Sequence, residues 1–110
     1  MPAVPELSPT EFCARWPEDR REQVVLLDVR EPFELDIVSL PGARHVPMRE
    51  IPQRIAELDR ETPLVIMCHS GVRSRNVAEF LIANGFDSVF NLKGGIDAWS
   101  TEIDPLLPRY

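Results

Sequence analysis

The sequence predicts an α/β fold, with a mainly parallel sheet and helices on both faces. Three observations carry this. Apolar runs of strand length occur at "QVVLLDV", "PLVIMC" and "DSVFNL". The first is continuous rather than alternating, as expected of a central parallel strand. Segments of helical period separate the runs, so strands and helices alternate along the chain. The 110 residues fit one compact domain over 1–110, with no internal repeat, low-complexity stretch or interdomain linker.

The elements follow in order. "LSPTEF" is a helix start: Ser8 caps, Pro9 suits the first position and Glu11 completes a capping box. Phe12 and Trp16 share a face, and Pro17 ends the segment. Gln23–Val29 is the first strand, and "REPFEL" is expected to form one helical turn. "LPGARHVP" holds a Pro-Gly turn and a short strand at Ala43–Val46. "EIPQRIAEL" places Ile51, Ile55 and Leu58 on one helical face. "PLVIMC" is the next buried strand. "RSRNVAEFLIANG" is the clearest helix, with Val77, Phe80 and Leu81 as its apolar face and Gly85 as its stop. "DSVFNL" is a strand, "KGG" a turn and "IDAWSTEI" a short helix. "DPLLPRY" is expected to be irregular.

Composition excludes several function classes. The net charge of −6 argues against nucleic acid or an anionic membrane as the main partner. The longest apolar runs fall far short of the ~20 residues that a membrane-spanning helix needs. "MPAVPELSPTEF" has neither the basic nor the apolar region of a secretory signal. Two cysteines without a framework suggest a reducing compartment, most simply the cytoplasm. Scattered histidines and cysteines argue against a zinc site, and no glycine-rich nucleotide fingerprint is present.

"CHSGVRS", Cys68–Ser74, carries the chemistry. Cys68 stands at the end of a buried strand, where open parallel sheets bind ligands. Residues 69–74 lack proline, so each offers a backbone N–H, and Gly71 lets the turn gather those donors. The following helix N-terminus adds partial positive charge, and Arg73 adds a cation. The expected result is an anion cradle beside a sulfur, a setting that favours thiolate over thiol and so nucleophilic catalysis. The alternative is a cysteine that packs as a small hydrophobe.

"CHSGVRS", "LIANGF" and "LKGGIDAW", with "LLDVREPFE" and "LPGARHVP" upstream, resemble the rhodanese domain family, strongest over residues 24–99. The whole chain is similar to the short stand-alone bacterial members, including the "DP…PRY" ending. The resemblance implies a five-stranded, mostly parallel sheet flanked by helices, and a sulfurtransferase without a cofactor. It implies that Cys68 accepts sulfur as a persulfide. It also implies that His69, Ser70, Gly71, Val72 and Arg73 bind the anion, largely through backbone amides. The family often carries Gly-His before its Pro-Gly-Ala turn, where this chain has Val38-Ser39. That departure touches a local contact or partner surface rather than the sulfur site. Cysteine phosphatases on related folds use Cys-x5-Arg; the Cys-x4-Arg spacing here suits a sulfur anion better than a phosphate.

The remaining residues are weighed against plainer roles. Asp28 is expected to brace the loop with Ser74, and Arg30 and Glu34 to pair with each other at i, i+4. Cys13 reads as packing rather than a resolving thiol, and His45 and Trp99 as structural. His69 is either a second cation or a polar loop residue. The reading is a rhodanese-type sulfurtransferase. Its partners would be a small anionic donor such as thiosulfate and an acceptor that is cyanide, a thiol or a protein cysteine. A non-catalytic rhodanese-like binding module is the alternative, although such members usually lack the cysteine. A cysteine phosphatase ranks below both.

Overall fold

The computed structural model describes residues 3–110. One sheet of five parallel strands forms the centre, in the order β1-β5-β4-β2-β3. The strands are β1 (Glu6–Leu7), β2 (Val25–Asp28), β3 (Arg44–His45), β4 (Leu64–Met67) and β5 (Val89–Leu92). The helices are α1 (Pro9–Arg15), α2 (Pro32–Ile37), α3 (Ile51–Arg54), α4 (Val72–Ala83) and α5 (Gly95–Glu102). The sheet is wholly parallel, which the crossover order β-α-β requires.

Alternation along the central strands splits the core in two. Leu64, Ile66 and Cys68 face one cluster with Leu27, Val29, Val77, Ala78 and Leu81. Val65 and Met67 face the other, with Leu26, Phe12, Trp16, Ile96 and Trp99. All four residues of β4 are buried, because helices cover both faces of the sheet. Phe12 stands between Trp16 and Trp99, with ring centroids 5.6 and 5.7 Å away. That cluster of tilted rings packs α1 against α5.

The capping box at Ser8 is present with both reciprocal bonds. Two other local expectations are corrected, and one strand is added. "EIPQRIAEL" is broken into a 3-10 turn, the four-residue α3 and a second 3-10 turn, with Arg54 at φ −110° and ψ 12°. Phe80 stays 38% exposed; Ser74, Val77, Ala78 and Leu81 make the buried face of α4 instead. Glu6–Leu7 forms an edge strand that the sequence pattern does not announce. It is held by Asn91 N–H to Pro5 O at 2.9 Å and Lys93 N–H to Leu7 O at 2.8 Å.

Candidate active site

The carboxyl ends of β2, β4 and β5 converge on one loop. Cys68 directly follows β4, and the chain turns through His69 and Ser70 to Gly71, the N-cap of α4. Gly71 adopts φ +106°, a conformation that L side chains avoid. A Cβ there would also press on Gly94 N at 3.3 Å. This backbone lets the Gly71 N–H donate to Cys68 Sγ at 3.1 Å. Cys68 has no exposed surface, whereas Ser70 and Val72 of the same loop are exposed. The sulfur therefore lies at the floor of the loop.

Ser74 Oγ, on the first turn of α4, lies 3.2 Å from Sγ and donates to Asn91 Oδ1 at 2.6 Å. Asn91 in β5 is oriented by Nδ2, which donates to Gly71 O at 3.0 Å and Glu6 Oε2 at 3.0 Å. Ser74 carries one hydroxyl proton. With a neutral thiol, S–H donates to Oγ and the hydroxyl donates to Asn91. With a thiolate, the same proton can turn to Sγ. Ser74, expected to support the loop, thus lies between Cys68 Sγ and Asn91 Oδ1.

α5 supports the loop from the other side. Ile96 N–H donates to Cys68 O at 2.9 Å and Asp97 N–H to His69 O at 3.1 Å. Gly95 makes this docking possible: with φ +61°, its added Cβ would stand 2.5 Å from both Cys68 O and His69 O. The "KGG" segment is therefore more than a turn. It brings the first amides of a helix onto the backbone of Cys68 and His69.

The charged residues are arranged differently from expectation. Arg30 and Glu34 do not pair through their side chains. Arg30 is fully buried and binds Asp28 through Nε at 3.0 Å and Nη2 at 2.7 Å, with a further bond from Nη2 to Val38 O at 2.9 Å. Burial works against the Arg30 cation, but its bonds to Asp28 and Tyr110 outweigh this and raise its pKa. Val38 closes this cage with its carbonyl. His45 donates from Nε2 to Arg30 O at 2.7 Å, a structural role.

Glu34 instead receives both Arg73 nitrogens, at 2.7 and 2.9 Å, and the Tyr110 hydroxyl at 2.7 Å. The Arg73 bonds, joined by those from Tyr110 and Glu31, hold the Glu34 carboxyl at about 2. The same Glu34 bond raises the Arg73 pKa. Arg73 is thus already paired, not an open cation aimed at the sulfur. Among the described residues, the loop amide that reaches Sγ is that of Gly71 alone. Asp28 acts at a distance, through Arg30, Tyr110 and Glu34 to Arg73.

The sequence does not single out Asn91, and Glu34 and Tyr110 lie in the "LLDVREPFE" and "DP…PRY" stretches without a site role being assigned to them. A polar residue within the apolar run "DSVFNL" is the one hint, for Asn91. Cys13 lies apart, on α1, half-buried beside Arg21; burial pushes its thiol pKa up.

The rhodanese-like domain family matches residues 14–102, and the chain belongs to it. A thiosulfate sulfurtransferase GlpE of Actinobacillus pleuropneumoniae serotype 7 is 33% identical over 105 residues, covering 96% of this chain and 94% of that protein. The chloroplastic rhodanese-like/PpiC domain-containing protein 12 of Arabidopsis thaliana is 41% identical over 93 residues, covering 81% of this chain but 31% of the plant protein. The crystal structure of a rhodanese-like domain protein from Staphylococcus aureus superposes with a TM-score of 0.79 at 31% identity, covering 87% of this chain and 91% of that one. No helix among the described residues is long and apolar enough to cross a membrane.

Proposed function

We propose that the protein is a rhodanese-type sulfurtransferase that carries sulfane sulfur on Cys68. The observation that supports this best is Cys68 Sγ at the floor of the loop, with the Gly71 N–H and the Ser74 hydroxyl on it. The Cys68 thiolate attacks the outer sulfur of thiosulfate or a related anion. The S–S bond of the donor breaks and sulfite leaves with the electron pair. Cys68 then holds a persulfide anion, Cys68–S–S⁻. An acceptor nucleophile (cyanide, a thiolate or a protein cysteine) attacks the outer sulfur and releases the Cys68 thiolate. No cofactor enters either step.

The amides of His69, Ser70, Gly71 and Val72 are the donors available for the substrate anion and the persulfide. Arg73 contributes by anchoring the head of α4 to Glu34 while its own positive charge stays near the mouth. Because Cys68 is fully buried, the donor reaches Sγ only when the loop opens. Both thiols are free, which fits a reducing compartment such as the cytoplasm.

Intact-mass measurement after thiosulfate treatment tests the reading. The expected result is a gain of one sulfur, ~32 Da, retained by Cys13→Ser and lost by Cys68→Ser, and removed by cyanide. Equal labelling of the Cys68→Ser protein would refute the assignment.

A further inference from the structure

Tyr110 touches the start of the loop directly and reaches its far end through Glu34. Its ring stacks on His69, with centroids 4.0 Å apart and planes at 12°. Its hydroxyl accepts from Arg30 Nη1 at 3.0 Å and donates to Glu34 Oε2 at 2.7 Å. Glu34 in turn grips Arg73 with both oxygens. The neighbouring Arg109 is locked to Asp97 on α5 by bonds of 2.9 and 3.0 Å. A cavity of about 360 Å³ opens here, lined by His69, Ser70, Asp97, Arg109 and Tyr110. So the segment expected to be irregular is anchored at its end, against the residue that follows the nucleophile.

We propose that Tyr110 is a positioning residue of the sulfur-transfer site: its ring fixes His69, and its hydroxyl fixes Glu34 and through it Arg73. The inference rests on the transfer reading above. Its physical basis is preorganisation. Arg73 is a long side chain and His69 lies on a loop; ordering each such group during binding costs ~0.5–1.5 kcal/mol. Contacts made beforehand by Tyr110 remove that cost from the binding step. The hydroxyl is also directional, since it accepts from a cation on one side and donates to a carboxylate on the other. Phenylalanine keeps the stack and loses this direction; leucine loses both.

Alkylation of Cys68 in a Cys13→Ser background tests the proposal. The probes are iodoacetate, an anion, and iodoacetamide, its neutral counterpart. Both need the same loop opening and the same thiolate, so their rate ratio cancels those factors. The ratio reads how well the loop holds an anion. Relative to the parent, it should fall about threefold for Tyr110→Phe and about tenfold for Tyr110→Leu, the sizes expected from one and two lost ordering contacts. In an Arg73→Ala background, Tyr110→Phe should add little, because its hydroxyl acts through Glu34 to Arg73. A purely stabilising role would lower the melting temperature and leave the ratio alone.

An unchanged ratio in folded Tyr110→Phe overturns the proposal. So does an equal fall in the Arg73→Ala background. If Tyr110→Leu fails to fold, Tyr110→Phe decides alone. The thiosulfate mass measurement is made on the same parent protein. Failure to take up sulfur would reject the transfer reading, while the alkylation ratio still tests the positioning.

Discussion

At the scale of residues, one hydroxyl proton links three side chains. Ser74 stands between Cys68 Sγ and Asn91 Oδ1, and all three residues are buried. Removing the hydroxyl leaves Asn91 Oδ1 unpaired when Cys68 is a thiol, and takes a donor from Sγ when it is a thiolate. Ser74→Ala should therefore cost ~1–3 kcal/mol in stability, the penalty for a buried unsatisfied group. It should also slow sulfur uptake, read as the rate of mass gain with thiosulfate at a temperature where the variant is folded. A stability loss without a slower uptake would make Ser74 a packing residue only. Cys68, Gly71 and Ser74 were legible because they lie within one seven-residue stretch. Their supporters were not. Asn91 meets Ser74 across 17 positions, Glu34 meets Arg73 across 39, and Tyr110 meets Glu34 across 76. A local pattern of charges suggested Arg30 with Glu34, but a fully buried arginine needs the stronger, bidentate partner, and Asp28 is that partner.

At the scale of elements, the strands and helices that read clearly are those with one period and sharp ends. β2, β4, β5, α1 and α4 belong to this group. α1 has a complete capping box, and β4 is apolar throughout. The segment around α3 read as one helix because Ile51, Ile55 and Leu58 fall at helical spacing. The spacing survives, with Ile51 and Leu58 buried, although the backbone changes type twice. Two-residue strands such as β1 are too short to show any period. α5 was legible as a helix but not as a support for the loop, since that depends on a close backbone approach. Gly95→Ala tests the approach. A left-handed conformation costs a non-glycine residue ~1–2 kcal/mol, and overpacking adds ~1–3 kcal/mol. The expected loss is several kcal/mol, read by urea unfolding. Sulfur uptake by the folded fraction should fall as well, because Cys68 O and His69 O must move away. A variant of wild-type stability and rate would show that α5 can shift without disturbing Cys68.

At the scale of the whole molecule, Asp28, Arg30, Tyr110, Glu34 and Arg73 form a chain of bonds from the end of β2 to the head of α4. It ties the first half of the sequence to the second around the loop, and its charges cancel in pairs. Its pH limits follow from two groups. Glu34 has its carboxyl lowered from 4.5 to about 2, first by Arg73 and then by Tyr110. Tyr110 is raised from 10.0 to about 12, first by burial and then, against Arg30, by its bond to Glu34. A lowered acid stabilises the folded state above its unfolded pKa and stops doing so as pH falls through its folded pKa. The Glu34 contribution is therefore complete above about pH 4.5 and lost towards pH 2, and it amounts to roughly 3 kcal/mol. For Tyr110 the neutral form is favoured, so its contribution is complete below pH 10.0 and lost towards pH 12. Urea unfolding across this range should show a plateau between the two limbs. Glu34→Gln should lower the plateau and flatten the acid limb, because no carboxylate remains there to be protonated. Tyr110→Phe should weaken the alkaline limb, leaving the part that the buried Cys13 thiol carries, and keep much of the acid limb, since the Arg73 pair with Glu34 survives. An acid limb unchanged in Glu34→Gln would mean that other carboxylates carry the acid sensitivity, and that the Glu34–Arg73 pair does not hold the two halves together.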